Sequence, residues 1–278
     1  MRFYLISLVF ILLSFNVHAS WQTYQNDLVN SGSSDGIGYF PLETSNFSDN
    51  SLGMSFQPLV GDLDFNGGNE IVIFSNNSLI ILNQQLAILA QAKVGLLRGQ
   101  PTLFNFDDDN LIEIIFNSEQ NSTDYFFAYQ YSEDLQQEFN ITLANKANFS
   151  GIKCLGINGT DACVFKDKSN YVHIVDMDSK TDSSYSTSPY NETWQTVPAI
   201  GDIDNDGNYE AVFWLNNDSN GGYGFLAFDL NERKADWIVD NIFTSFLEHP
   251  TTFALKGQPV LVDLNNDNKL EIAASVFY

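Results

Sequence analysis

Four stretches of this chain carry the same nine-residue polar loop: Asp62-Leu-Asp-Phe-Asn-Gly-Gly-Asn-Glu70, Asn105-Phe-Asp-Asp-Asp-Asn-Leu-Ile-Glu113, Asp202-Ile-Asp-Asn-Asp-Gly-Asn-Tyr-Glu210 and Asp263-Leu-Asn-Asn-Asp-Asn-Lys-Leu-Glu271. Oxygen-bearing side chains fall at positions 1, 3, 5 and 9 of each loop: Asp62, Asp64, Asn66 and Glu70; Asn105, Asp107, Asp109 and Glu113; Asp202, Asp204, Asp206 and Glu210; Asp263, Asn265, Asp267 and Glu271. Position 7 is Gly68, Leu111, Asn208 or Lys269. No side-chain type is kept there, as suits a backbone carbonyl ligand. A hard cation such as Ca2+ takes several carboxylate or amide oxygens from one tight turn, a backbone carbonyl, and a last carboxylate able to bind through both oxygens. The loops therefore carry two expectations, calcium and a repeat architecture.

The flanks repeat as well. Position 6 is Gly67, Asn110, Gly207 or Asn268, residues that tolerate positive φ at a sharp turn. Position 2 is always apolar (Leu63, Phe106, Ile203, Leu264) and is expected to point into the core. After each final Glu comes an apolar run, Ile71 to Ile73, Ile114 to Phe116, Ala211 to Phe213 and Ile272 to Ala274, which reads as a buried strand. Proline stands four residues before position 1 in every copy, at Pro58, Pro101, Pro198 and Pro259. Isolated Asp/Asn/Gly clusters are ordinary polar turns; four in one register with a shared proline are not. The third loop has acidic side chains at all four oxygen positions, whereas Asn105 and Asn265 lower the ligand charge of the second and fourth.

This pattern resembles the FG-GAP/VCBS repeat family, the calcium-loop repeats of integrin-α-like β-propellers, over roughly residues 56 to 278. The resemblance implies an all-β propeller of four-stranded blades, with the loop joining consecutive strands of a blade and Ca2+ as the bound ion. A weaker likeness lies in Trp21 to Gly32, which looks like the Trp-initiated opening of many secreted propellers. The FG and GAP signatures themselves are not present, so integrin-type partner recognition does not carry over.

The loops begin at 62, 105, 202 and 263, and the long interval between the second and third leaves room for one more repeat. It is there in degraded form, Cys154 to Phe165, with Cys163-Val-Phe165 aligned on Ala211-Val-Phe213. Two cysteines bracket a loop too short and too poor in carboxylates for a metal. In an oxidising compartment they are expected to pair across a hairpin, the alternative being two buried thiols. Strand signals recur after each loop at Leu79 to Leu82, Tyr125 to Tyr129, Tyr171 to Val175 and Phe225 to Phe228. Polar turns and further candidates follow, such as Ala87 to Ala92 and Trp237 to Val239. Four strands in about 50 residues is propeller arithmetic. About five blades are expected. The last is cut short, and either residues 21–55 complete it and close the ring or the chain is part of a larger propeller.

Residues 1–19 read as a secretory signal, with Arg2, the apolar stretch Phe3 to Phe15 and a small residue at Ala19, leaving 20–278 as the propeller domain. An uncleaved anchor is the competing reading, but the apolar run is short for a span. No other segment is expected to cross a membrane. Sequons at Asn46, Asn76, Asn121, Asn140, Asn148, Asn158, Asn191 and Asn217 suit a secreted or cell-surface glycoprotein. Net charge is −23, and the loop positions hold 13 of the 35 acidic residues. That charge argues against nucleic-acid binding, which needs basic patches. No catalytic constellation is visible. His173 sits in a strand-like stretch and His249 precedes Pro250. The functional expectation is a calcium-binding, non-catalytic binding or adhesion module for protein or glycan partners. The alternative is a carbohydrate-active enzyme or an accessory domain of one.

Overall fold

The structure is a computed structural model that describes residues 56–107, 109, 111–144, 150–157, 159–188, 196–217, 222–239 and 258–274. The N-terminal leader, the Trp21 segment, His249 and the sequons at Asn46, Asn148, Asn158 and Asn191 lie outside the described residues. Among the described residues all regular structure is β and there is no helix. The first sheet is a meander of β1 (Leu59–Gly61), β2 (Glu70–Ser75), β3 (Ser78–Leu82) and β4 (Ile88–Lys93). The second contains β5 (Leu96–Leu97), β6 (Thr102–Phe104), β7 (Glu113–Gln120), β8 (Thr123–Tyr131) and β9 (Leu135–Thr142). It counts five strands because β5 and β6 pair with different parts of β7. The third is β10 (Lys153–Ile157), β11 (Thr160–Lys166), β12 (Tyr171–Asp176) and β13 (Thr181–Ser186). The fourth is β14 (Ala199–Gly201), β15 (Glu210–Asn217), β16 (Gly222–Asp229) and β17 (Lys234–Val239). The last shows two described strands, β18 (Val260–Val262) and β19 (Glu271–Ala273). Every pairing is antiparallel.

The apolar runs after the first three glutamates are largely buried on both faces, whereas in the last sheet Ile272 and Ala273 are half-buried and Ala274 is exposed. The side-chain alternation of a strand decides which neighbour each face meets. Val72 and Phe74 of the first sheet pack with Ile114 and Phe116 of the second. Ile115, on the opposite face of β7, packs with Cys163 and Phe165 of the third. Val164 turns from there to Phe213 of the fourth, and Trp214 turns onward to Leu261. Residues at odd steps after the glutamate thus face the preceding sheet and those at even steps the following one. Sheets stack face to face in chain order, an arrangement consistent with a propeller-like fold. The outer strands β4 and β13 alternate exposed and half-buried residues, as solvated edges do.

The shared proline marks the innermost strand of the first, second, fourth and last sheets, standing immediately before β1, β6, β14 and β18. The residue before it stitches neighbours together. Gln100 Nε2 donates to Gln57 O at 3.2 Å, and Gln57 N donates to Gln100 Oε1 at 3.3 Å. Val197 N donates to Gln258 Oε1. The third sheet has Gly151 at this register. A Cβ there would lie 2.3 Å from Val197 Cγ2 and 3.0 Å from Gln100 Cβ. Residues of the second and fourth sheets therefore close on one glycine of the third, so the inner strands converge. Gly151 N donates to Thr196 O at 3.0 Å and Ile152 N to Gln100 O at 3.1 Å, completing the contact.

Cys154 and Cys163 are directly paired across β10 and β11 and form the expected disulfide, with Cα atoms 4.0 Å apart. Two expectations fail, both at the last sheet: the run Ile272 to Ala274 is not buried, and the position 2 side chain of its loop does not enter a core. Leu63, Phe106 and Ile203 are buried, but Leu264 is 67% exposed, because no sheet packs beyond the last one among the described residues. Substituting Gly151→Ala is expected to destabilise the chain by about 1–3 kcal/mol through overpacking at the inner ends. Urea unfolding measures this, and an unchanged midpoint would show that the inner strands do not converge as described.

Candidate metal centres

Each acidic loop joins the innermost strand of a sheet to the second, spanning 62–69, 105–112, 202–209 and 263–270 before the strand that opens on the glutamate. The backbone turns twice. Position 6 has positive φ at Gly67 (89°), Gly207 (93°) and Asn268 (65°), as expected from residue type. Position 4 also has positive φ, at Phe65 (53°), Asn205 (64°) and Asn266 (61°). In the first loop the sequence disguised that second turn, because Phe is a poor left-handed residue, whereas Asn205 and Asn266 are types that tolerate it.

The loops organise themselves through side chains that accept from their own backbone. Position 5 accepts the amide of position 7 in all four: Gly68 N, Leu111 N and Asn208 N donate at 2.8 Å to Asn66, Asp109 and Asp206, and Lys269 N donates at 2.9 Å to Asp267. Position 1 accepts the amide of position 6, from Gly67, Gly207 and Asn268, each at 2.9 Å. The position 9 glutamate accepts the amide of position 2, from Leu63 (2.9 Å), Phe106 (3.1 Å), Ile203 (2.8 Å) and Leu264 (2.8 Å). This last bond folds each loop back onto the strand it precedes. Neighbouring loops are linked too, Ile112 N donating to Leu63 O and Leu270 N to Ile203 O, each at 3.1 Å.

Carboxylates converge in three of the loops. Oxygens of Asp62, Asp64 and Glu70, of Asp107, Asp109 and Glu113, and of Asp202, Asp204 and Asp206 lie within 4.8 Å of one another. That is the span of two ligands on opposite sides of a Ca2+ held at about 2.4 Å. Among the described residues the fourth loop does not form such a group. Asn265 Nδ2 donates to Asp267 Oδ2 (3.2 Å) and Glu271 Oε1 (3.0 Å), so an amide bridges the two carboxylates there.

The chemistry of the first two clusters fits a cation. Asp62 Oδ1 and Glu113 Oε1 are buried with no hydrogen-bond partner, and a buried charged oxygen left unpaired is costly. Glu113 is fully buried. Burial pushes its carboxyl up to about 8, opposed by the Phe106 amide and reinforced by Glu138, Asp107 and Asp109. Burial likewise raises Glu210 to about 7, with Asp204, Asp206 and Asp229 adding to the effect. Glu70 is raised for the same reason, with Asp64 and Asp62 contributing. The residues that would hold Ca2+ are those expected from sequence: Asp62, Asp64, Asn66, Gly68 and Glu70; Asn105, Asp107, Asp109, Leu111 and Glu113; Asp202, Asp204, Asp206, Asn208 and Glu210. The fourth set is Asp263, Asn265, Asp267, Lys269 and Glu271, in the less suited loop.

The third sheet has no such loop, and sequence reasoning missed what it has instead. His173 is fully buried on β12, stacked on Phe165 with ring centroids 4.8 Å apart. Its Nδ1 lies 2.9 Å from Asp182 Oδ2 and its Nε2 lies 3.3 Å from Asp167 Oδ2. Two carboxylates can only accept, so both ring nitrogens donate and the ring is an imidazolium. Desolvation alone would lower its pKa. The bonds and charges of Asp167 and Asp182 prevail and raise it to about 9. The partners come from the turn after β11 and from β13, so no local motif announces them. A histidine pKa raised from 6.5 to about 9 contributes stability fully present below pH 6.5 and lost as pH rises through 9. The loss is on the order of 3 kcal/mol. Unfolding free energies measured with saturating calcium from pH 6.5 to above 9 should show this fall, and His173→Gln should flatten it. A variant as steep as the parent would mean another group titrates.

No family model matches the chain, and no curated protein matches it. Among solved structures it is similar to BBS1N in complex with ARL6DN, soaked with lead, at 11% identity and a TM-score of 0.46, covering 74% of this chain and 56% of that one. It is similar also to BBS1N in complex with ARL6DN, soaked with mercury, at 13% identity and a TM-score of 0.45, covering 82% of this chain and 79% of that one. Likenesses this distant carry no argument about what the chain does.

Proposed function

We propose that this chain is an exported, calcium-stabilised β-propeller of the FG-GAP/VCBS kind that serves as a non-catalytic binding module. One observation carries the calcium reading. Buried carboxylate oxygens at Asp62 and Glu113 have no hydrogen-bond partner and lie inside clusters whose oxygens a single cation can span. Without a cation, the repulsion within each cluster and the burial of its glutamate both oppose folding. With Ca2+ bound, the same groups become ligands. The metals are structural in this account, since they sit between strands of one sheet and the loops bond to one another. Exported compartments supply enough calcium to fill even weak sites of Kd about 10⁻⁴ to 10⁻³ M.

The binding-module reading rests on what the side chains can do. His173 is fully buried with both nitrogens engaged, so it cannot serve as acid or base toward a substrate. The loop carboxylates are explained as ligands. Sequon residues Asn76, Asn121 and Asn140 are exposed, which supports a glycosylated surface in the secretory pathway. A partner, protein or glycan, is then met by the loops and turns at the ends of the sheets, where side chains vary without disturbing the stacked core.

Thermal unfolding in calcium and in chelator tests the reading. Each filled site adds RT ln(1 + [L]/Kd), about 2.7 kcal/mol at 100 times Kd, so the midpoint is expected to rise clearly in calcium. Equal midpoints would refute the proposal. Within the set, Asp204→Ala is expected to lose more bound calcium than Asn265→Ala, because the third loop has four acidic ligands and the fourth bridges its carboxylates with an amide. Titration calorimetry of the two variants decides the order.

A further inference from the structure

The shortened hairpin of the third sheet leaves a space beside it. Strands β10 and β11 are joined by residues 158–159 alone, where the first sheet has 62–69 and the fourth has 202–209. At the first two junctions the end of the following sheet approaches an acidic loop. Tyr131 feels the charges of Asp64 and Glu70, and Asp107 feels that of Lys180. At the third junction the turn after β16 approaches the shortened hairpin, and a cavity of about 290 Å3 opens between the third and fourth sheets. It lies at the same end of the sheets as the acidic loops.

The lining is of two kinds. Ile174 and Leu230, both buried, give it an apolar floor. Asp176 and Ser183 from the third sheet and Asn231 and Arg233 from the fourth give it polar walls. Several of these polar groups are held by partners of their own. Asp176 Oδ1 accepts Ser179 N at 2.7 Å. Asn231 Nδ2 donates to Asn208 Oδ1. Arg233 Nη1 donates to Tyr185 Oη at 2.9 Å, with the guanidinium 5.9 Å from the Tyr185 ring centroid. Side chains already ordered lose little entropy on binding.

One carboxylate and one guanidinium balance in charge, although the chain as a whole is strongly acidic. A hydroxyl, an amide, a carboxylate and a guanidinium together offer acceptors and donors side by side. That set suits a neutral ligand whose own groups both donate and accept, and the apolar floor suits a ligand with a C–H face. The volume sits at the low end of the range for small-molecule sites, about 300–1,000 Å3, enough for one ring. We propose that this cavity binds a single neutral pyranose unit of a saccharide. This deepens the binding-module reading and rests on it.

The test is saturation-transfer NMR on the full chain, freed of N-glycans because the sequon ending at Thr160 borders the cavity. The probes are the methyl pyranosides of glucose, galactose, mannose and N-acetylglucosamine, with calcium present. At least one is expected to bind saturably. Ser183→Trp, which fills the cavity, should abolish that binding, and Asp176→Asn should weaken it by about tenfold through loss of a charged hydrogen bond. The milder variant keeps the test open should the Trp variant fail to fold. Binding of none of the four sugars, or binding that both folded variants retain in full, overturns the proposal. Melting of the same samples in calcium and in chelator separates the two ideas: a calcium shift without sugar binding sinks the cavity proposal and leaves the module standing.

Discussion

The hydrogen bond from the position 2 amide to the position 9 glutamate is the interaction on which the rest of this structure turns. It recurs in all four acidic loops, between 2.8 and 3.1 Å. It closes the loop, starts the second strand of the sheet on the glutamate, and thereby sets the register in which Val72, Ile115 and Val212 face the following sheet. It also draws carboxyl groups into the protein at Glu70, Glu113 and Glu210, all buried. One amide does not offset the desolvation of a carboxylate surrounded by others, and the raised pKa values of all three record the shortfall. A proton or a cation must make up the difference. A divalent cation is the better candidate, because it neutralises the neighbouring aspartates as well.

The third sheet keeps the geometry without that bond. Its first two strands are held by the Cys154–Cys163 disulfide, and β11 to β13 are held by the Asp167–His173–Asp182 bridge. A disulfide closing so short a loop contributes about 2–3 kcal/mol on the chain-entropy account. These are alternative staples at equivalent places, and they differ in one consequence. An eight-residue connection fills the space against the next sheet, whereas a two-residue turn leaves it open. The cavity between the third and fourth sheets accompanies this shorter connection.

What the sequence revealed was what is local and repeated. The glutamate followed by an apolar run, the proline four residues before each loop, and the strands at 79–82, 125–129, 171–175 and 225–228 all stand where expected, because each depends on residues close in the chain. The disulfide was legible for the same reason, as facing positions on one hairpin. What stayed hidden depends on partners far apart in sequence. Gln100 shows its role only beside Gln57, and Gly151 only between Gln100 and Val197. His173 reads as a strand residue until Asp167 and Asp182 are placed at its two nitrogens. Leu264 shows the opposite limit: the repeat pattern assigns it to a core, but no sheet packs beyond it among the described residues.

The central claim is that the buried glutamates are there for a cation, and Glu113 gives it the sharpest test. Gln has nearly the same shape and can still accept from the Phe106 amide, but it carries no charge. The measurement is the unfolding free energy of Glu113→Gln against the parent, in calcium and in chelator, at a pH above the glutamate's value of about 8. The account predicts a crossing. In calcium the variant is less stable, because a ligand is gone. In chelator it is as stable as the parent or more so, because a buried uncompensated charge is gone. An equal loss of stability in both conditions would show that Glu113 is held by the protein alone and that the loops do not need a metal.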